Sequence, residues 1–150
     1  MAQNIQYHAM AEFRYEIRRF LNFSERAARA AGLEPQQHQG LMTVKGIPKG
    51  RNATVGYVAE HLQIRHHSAV ELVNRLEARG LLRRARSRGD RREVWLELTP
   101  RGEKVLQRLA AAHQAELRSL APKLLRALRD VITQARRPGS ARRRKSTSRR

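Results

Sequence analysis

Two short amphipathic helices separated by only three residues are the feature that most constrains the fold of this chain. Thr54 is a good N-cap for a helix that runs to Leu62, because its hydroxyl can accept a hydrogen bond from an otherwise unpaired backbone N–H group. A second helix is predicted from His66 to Arg79, and Gly80 is expected to end it. The three residues between the helices suit a tight turn. This spacing predicts a helix-turn-helix.

The hydrophobic period changes after these helices. Apolar and polar residues alternate from Glu93 to Leu98, which predicts a strand with one buried face. Residues 81–86 are the plausible partner strand, and the basic, turn-rich sequence from Ser87 to Arg92 forms the tip between them. Helix, turn, helix, strand, basic hairpin and strand is the order of elements in a winged helix.

Long helices are predicted on both sides of this core. Apolar residues at steps of three and four predict one helix over residues 8–31, and a shorter helix over 35–45 is expected to bury Leu41, Met42 and Val44. A further helix starts at about residue 100, is expected to break near Pro122, and resumes to about residue 135. The predicted fold class is mainly α with a small β-hairpin wing: a winged helix-turn-helix flanked by long terminal helices. We expect residues 1–135 to form one domain, with the winged core at about 33–100.

The charge of the chain indicates a polyanionic partner. There are 32 lysines and arginines against 13 acidic residues, a net charge of +19 in 150 residues. Residues 136–150 carry eight basic and no acidic residues and lack apolar periodicity, so we interpret them as a disordered basic tail. The remaining residues, 1–135, carry a net charge of +11. Nucleic acid is the natural partner of such a chain, and an anionic membrane surface is second.

Several classes of protein are disfavoured. The chain has no cysteine, which removes disulfides, thiolate nucleophiles and Cys-based zinc sites. It has no apolar stretch long enough for a bilayer and no secretory signal, so we expect a cytoplasmic protein with no membrane partner. No Gly-rich phosphate loop, HExxH motif or paired Ser and His appears, so we do not expect an enzyme.

Several histidines are candidate metal ligands. His66 and His67 are adjacent on a helix and point about 100° apart, so they cannot both easily face one ion. His38 and His113 could meet across two helices, but no HxxxH pair supports a site there. We therefore predict no metal site and no cofactor.

The predicted helix 66–79 has the character of a DNA-reading element. B-DNA's major groove, about 12 Å wide, admits one α-helix. The side chains in the N-terminal half of the exposed face are short and polar, so they can approach base edges. The hairpin tip could place an arginine in the neighbouring minor groove. A solvated surface is the alternative interpretation of both features. The solvent face of this helix comprises His67, Ser68, Glu71, Asn74 and Arg75.

The chain resembles a known family, the MarR family of transcriptional regulators. The resemblance covers residues 33–109 and depends on four segments in this order: 54–62 (TVGYVAEHL), 68–84 (SAVELVNRLEARGLLRR), 90–92 (DRR) and 98–102 (LTPRG). Two positions depart from the family pattern: Glu71 stands where the family is often basic or polar, and Asn74 replaces the more usual aspartate.

The resemblance implies a homodimer whose terminal helices, at about 8–31 and 100–135, form the interface. It implies that the helix after Ser68 recognises double-stranded DNA. Arg92 would be the minor-groove arginine, with Asp90 and Arg84 orienting it. The function implied is a ligand-responsive repressor that reads a palindromic operator and is released by a small aromatic or phenolic effector. The candidate DNA-binding residues are Thr54, His67, Ser68, Glu71, Asn74, Arg75, Arg84, Arg88, Asp90, Arg91 and Arg92.

A different function remains open beside this one. The basic domain and tail would also suit a non-specific or architectural nucleic-acid-binding protein, whose affinity would depend steeply on salt and little on sequence.

Overall fold

The structure, a computed structural model, describes residues 7–86, 89 and 92–134. These residues form a mainly helical chain with one two-stranded antiparallel sheet, which confirms the predicted fold class. The elements in chain order are α1 (Tyr7–Ala30), α2 (Pro35–Lys45), α3 (Val55–Leu62), α4 (His66–Ala78), β1 (Leu82–Arg86), β2 (Val94–Leu98) and α5 (Pro100–Gln134).

Local signals in the sequence set the boundary between α1 and α2. Gly32 has a φ of +78°, and the N–H of Leu33 donates to the carbonyl of Ala28 at 2.9 Å, which closes the last turn of α1. Glu34 then forms a capping box with Gln37, whose side-chain oxygen accepts from the backbone N–H of Glu34 at 3.2 Å. Gly32 thus ends α1 in the left-handed conformation that glycine adopts without strain.

The chain divides into two compact units, of which residues 22–116 form the larger. Its hydrophobic core is contributed by α2, α3, α4, the hairpin and the adjoining parts of α1 and α5. This core fixes α3 and α4 against each other by removing their apolar faces from water. The largest fully buried side chains in it are Leu41, Val58, Val73, Leu76 and Leu82.

The hairpin is tied to the rest of this unit at both ends. Its strands pair from Leu82 opposite Leu98 to Arg86 opposite Val94. The N–H of Leu96 donates to the carbonyl of Ala53 at 2.8 Å, which joins β2 to the segment that precedes α3. The wing is therefore anchored beside the start of the helix-turn-helix.

The smaller unit contains residues 1–21 and 117–150, of which the structure describes 7–21 and 117–134. It comprises the first part of α1 and the last part of α5. Ala9, Leu120 and Ala127 are buried in it.

Two sequence-based expectations are wrong. The helix predicted to break near Pro122 is continuous, because proline removes one backbone donor but fixes φ near the helical value, and the apolar stripe continues from Leu120 to Ala127 across it. Met42 is 41% exposed although its neighbours Leu41 and Val44 are buried, because it lies about 100° around the helix from Leu41.

None of the helices in the described part of the chain combines the length and the apolar character that crossing a membrane requires.

Candidate nucleic-acid interface

The turn between α3 and α4 has the predicted tight geometry. Gln63 caps α3 in the left-handed conformation, with a φ of 52°, and the N–H of Ile64 donates back to the carbonyl of Ala59 at 3.0 Å. Ile64 packs against the core, and α4 begins two residues later. The turn thus holds α3 and α4 in a helix-turn-helix, as predicted.

The exposed face of α4 is polar, as the sequence indicated. His67, Glu71 and Asn74 follow one another at steps of four and three residues, and all three are exposed. Arg75 is exposed too, and its guanidinium lies 4.0 Å from the carboxylate of Glu71. This ion pair partly offsets the negative charge that Glu71 would bring to a phosphate backbone. Ser68 is half-buried at the edge of this face.

The first turn of α4 has no side-chain cap. Its N-cap residue, Arg65, makes no capping hydrogen bond, and His66 and His67 occupy the first two helical positions in exposed settings. The backbone N–H groups of a first helical turn lack intrahelical partners and carry partial positive charge, so such a terminus favours anions.

Thr54 has a clear structural role. Its side-chain oxygen accepts a hydrogen bond from the N–H of Tyr57 at 3.1 Å, which makes it the N-cap of α3. The residue is exposed, so the cap and a phosphate contact are compatible.

Asn74 and Arg84, both predicted to contact DNA, contact each other. The Nη2 of Arg84 donates to Oδ1 of Asn74 at 2.8 Å, and its Nη1 forms an ion pair with the carboxylate of Glu77. Arg84 lies on β1 and both partners lie on α4. This arginine therefore connects the wing to the helix that would enter the major groove.

Only part of the predicted wing tip can be located. Arg92 lies in a turn just before β2 and is exposed. Arg88, Asp90 and Arg91 lie outside the described residues, and so does the basic tail. The proposed contact of Asp90 with Arg92 stays a prediction.

Arg79 was not among the predicted residues and proves central to the unit. Its guanidinium donates to Oε1 of Gln37 and to the carbonyl of Gly32, both at 2.7 Å, and its own carbonyl accepts from Arg101 at 3.3 Å. It joins the end of α4 to the turn between α1 and α2. These contacts span up to 47 residues, so no local sequence pattern could have revealed them.

An aromatic stack on α3 was also missed. The rings of Tyr57 and His61 stack with centroids 3.9 Å apart, and the guanidinium of Arg51 lies 5.3 Å from the Tyr57 centroid. The signal was present as an aromatic residue and a histidine four positions apart on one helix.

His38 and His113 do meet across α2 and α5. Their ring centroids are 4.7 Å apart and both residues are buried. Nε2 of His113 lies 2.8 Å from the Ser24 hydroxyl, whereas Nε2 of His38 has no hydrogen-bond partner among the described residues. Burial, together with the neighbouring His113, lowers the pKa of His38 from 6.5 to about 4. Within the described part of the chain, no three His, Cys, Asp or Glu side chains cluster as metal ligands would.

Part of the chain matches a known family model. Residues 31–93, which contain α2, the helix-turn-helix and most of the wing, match the family model described as MarR family. No curated protein matches the chain significantly.

Several solved structures share the fold over most of the chain. AbsC of Streptomyces coelicolor, a MarR family transcriptional regulator, has a TM-score of 0.69 at 19% identity and covers 91% of this chain and 93% of its own. CouR of Rhodococcus jostii RHA1, bound to p-coumaroyl-CoA, has a TM-score of 0.66 at 21% identity, with 92% and 99% covered. A mutant of S. aureus MepR bound to an oligodeoxyribonucleotide has a TM-score of 0.62 at 16% identity, with 86% and 96% covered.

Proposed function

We propose that this chain is a sequence-specific transcriptional regulator that binds double-stranded DNA as a homodimer. The observation that carries the proposal is the exposed polar face of α4, which follows a helix-turn-helix and is linked through Arg84 to a basic hairpin. A single helix presented in this way fits the major groove, and the wing beside it fits the adjacent minor groove. The MepR structure with an oligodeoxyribonucleotide supports the proposal by its similar fold.

The charge distribution supports DNA as the partner. The uncapped first turn of α4 carries Arg65, His66 and His67, and all three side chains are exposed. Phosphate groups bind favourably at such a terminus because unpaired N–H groups and the helix dipole point at them. The excess of basic residues would add sequence-independent affinity through counterion release.

The smaller unit supports association with a second copy. Among the residues that the structure describes, ten large hydrophobic residues are exposed and eight of them belong to this unit, including Tyr7, Leu125 and Ile132 at 73%, 60% and 52% exposure. An apolar groove of about 530 Å³ lies in the same unit, lined mainly by Met10, Phe13, Ile17, Leu21 and Val131. Exposed apolar surface of this extent is typical of an interaction site. A second copy would cover it and present a second α4.

We further propose that the protein is a repressor, that its operator is palindromic, and that a small aromatic or phenolic effector releases it. A two-fold symmetric dimer reads two equivalent half-sites, so the operator is expected to be palindromic. CouR, bound to p-coumaroyl-CoA, supports a small-molecule effector by its similar fold.

Selection of bound genomic fragments, followed by footprinting, tests the proposal. We expect one preferred palindromic site with half-sites one helical turn apart, about 34–36 Å. Uniform protection without a preferred sequence would overturn it.

The basic residues of 136–150 favour a second candidate function, non-specific binding of nucleic acid. This function predicts that the logarithm of the affinity falls linearly with the logarithm of the salt concentration, with a slope of about −0.9 for each neutralised phosphate. The affinity should vary little with sequence. A chain truncated after Ala135 separates the two candidates. If the truncated chain retains a sequence preference, the non-specific function is excluded.

A further inference from the structure

Three side chains at the surface of α3 and of the loop before it form one cluster. The rings of Tyr57 and His61 stack with centroids 3.9 Å apart, and the guanidinium of Arg51 lies 5.3 Å from the Tyr57 centroid. Arg51 and His61 are both exposed. The ion pairs formed among the described residues include neither of them. The positive charge of this cluster is therefore available to a partner molecule.

The hydrogen bond of His61 determines which of its ring nitrogens carries the proton. Nδ1 lies 2.9 Å from the backbone carbonyl oxygen of Tyr57. A carbonyl oxygen can only accept, so Nδ1 must be the donor. In the neutral ring Nε2 is then an acceptor, and it has no hydrogen-bond partner among the described residues. Nε2 becomes a donor only when the ring takes up a second proton.

A phosphate diester can bind Nε2 directly only when His61 is protonated. The phosphate oxygens are acceptors, so they require a donor on the protein. The protonated ring and the guanidinium of Arg51 would lie against the same tyrosine ring, and like charges at such short range disfavour each other. An anion that contacts both cations offsets this repulsion. Binding of a phosphate and uptake of a proton at His61 therefore favour each other.

The cluster lies on the first helix of the helix-turn-helix. Thr54, Tyr57 and His61 follow one another at steps of three and four residues, so they share one stripe of α3. In helix-turn-helix proteins the first helix crosses the DNA backbone while the second lies in the major groove. A backbone phosphate is therefore the anion that this stripe would meet.

The other charged groups around α3 do not supply a competing anion. This helix packs against α2 and α4, whose titratable residues engaged in ion pairs or in the histidine stack of the core are His38, Lys45, Glu71, Arg75 and Glu77. The exposed residues of the preceding loop, the turn and the start of α4 that add basic character are Lys49, Arg65, His66 and His67. Glu60, the acidic residue of α3 itself, lies about 100° around the helix from His61.

We propose that Arg51, Tyr57 and His61 form a binding site for a backbone phosphate of DNA, and that DNA binding adds a proton to Nε2 of His61. The affinity for DNA then rises as the pH falls. The inference rests on the proposed function in one respect, because it requires the helix-turn-helix to lie against a duplex. The contact itself carries no sequence information, since every position of the backbone presents the same phosphate.

Calorimetric titration with a duplex of mixed sequence, in two buffers of different ionisation enthalpy, counts the protons taken up on binding. At about pH 7, within the range in which histidines change charge, we expect His61→Gln to take up fewer protons than the wild-type chain, by up to about one per chain. Glutamine keeps a polar side chain and does not titrate. His8→Gln is the matched control, because His8 is an exposed histidine outside the larger unit. It should keep the wild-type uptake.

The salt dependence of the affinity for the same duplex tests the phosphate contact. Arg51→Gln should reduce the slope of log affinity against log salt by about 0.9 per chain. His61→Gln should reduce it equally at about pH 6 and hardly at about pH 8. Both positions are exposed, so the variants should keep the wild-type stability to within about 0.5 kcal/mol, which thermal unfolding checks.

If His61→Gln retains either the wild-type proton uptake or the wild-type salt slope at about pH 6, the inference is overturned while the proposed function stands. The sequence preference of the wild-type chain is measured separately, by selection. Its absence would overturn the proposed function but not the phosphate site, which the titrations with mixed-sequence DNA decide.

Discussion

The imidazole ring of His38 lies against that of His113 in the interior of the larger unit, with ring centroids 4.7 Å apart. The pair joins α2 to α5, and the Ser24 hydroxyl, 2.8 Å from Nε2 of His113, brings in α1. Phe23 packs edge-on against His113 with centroids 5.6 Å apart. Burial and the neighbouring imidazole both disfavour a proton on His38, which lowers its pKa to about 4.

This relationship predicts that the protein loses stability in mild acid. The unfolded chain takes up a proton at His38 near pH 6.5, whereas the folded chain resists it down to about pH 4. The free energy of unfolding should therefore be unaffected by His38 above pH 6.5 and should fall between pH 6.5 and 4, by up to about 3 kcal/mol. Urea unfolding at a series of pH values measures this change. His38→Leu should flatten the slope in that interval, and the exposed control His67→Gln should not. An equal slope in wild type and His38→Leu would contradict the assignment.

The close approach of Gly102 to Leu81 makes a second prediction, about stability. A Cβ added at Gly102 would overlap the carbonyl oxygen of Leu81, which is backbone and cannot move aside easily. Gly102→Ala should therefore destabilise the protein by about 1–3 kcal/mol, as overpacking does. Gly56→Ala is the control, because the nearest atom to its added Cβ is 3.8 Å away in the exposed first turn of α3. That change should stabilise the helix by about 0.5–1 kcal/mol. Thermal unfolding distinguishes them, and equal effects would refute the packing argument.

The N-cap role of Thr54 can be separated from a contact with DNA. Thr54→Ala should lower stability by about 1 kcal/mol, because the N–H of Tyr57 loses its partner, while Thr54→Ser should retain the cap. Denaturant midpoints measure the cap, and the salt dependence of DNA affinity measures phosphate contacts. If Thr54→Ala leaves stability unchanged, the cap assignment is wrong.

Arg92 is expected to matter for minor-groove binding. Arg92→Ala should reduce affinity about tenfold on operators with a narrow A·T-rich minor groove, and less on others. Arg149→Ala, in the basic tail, should cause a small loss that does not depend on sequence. Fluorescence titration with two duplexes that differ only in the flanking base pairs provides the measurement. Equal losses for the two variants would contradict the wing assignment.

The parts of the fold set by local chemistry could be predicted from the sequence. α2 spans Pro35–Lys45, as predicted, because Pro35 suits a first helical turn and the residues on either side supply the caps. The boundaries of α3 and α4 follow from the cap at Thr54 and the glycine at position 80 in the same way. The break expected at Pro122 was wrong because the local cost of proline is outweighed by the continuous apolar stripe of α5.

The sequence could indicate which residues form the candidate site, but not which of them contact one another. Which residues of α4 are exposed follows from helical periodicity. Arg84 contacts Asn74 and Glu77 because β1 lies close to α4. The distance between these two elements is set by the packed core, so the sequence pattern could not predict the contacts. The contact of Arg79 with Gly32 depends on the packed unit in the same way.

In the proposed complex, two copies of this chain together hold two α4 helices against one duplex. Sedimentation equilibrium of the protein with its selected duplex, at the concentration that half-saturates the DNA, tests it most directly. We expect two chains on one duplex, and a dimer in the absence of DNA at the same concentration. Single chains bound to single duplexes at that concentration, with no dimer in the free protein, would contradict it.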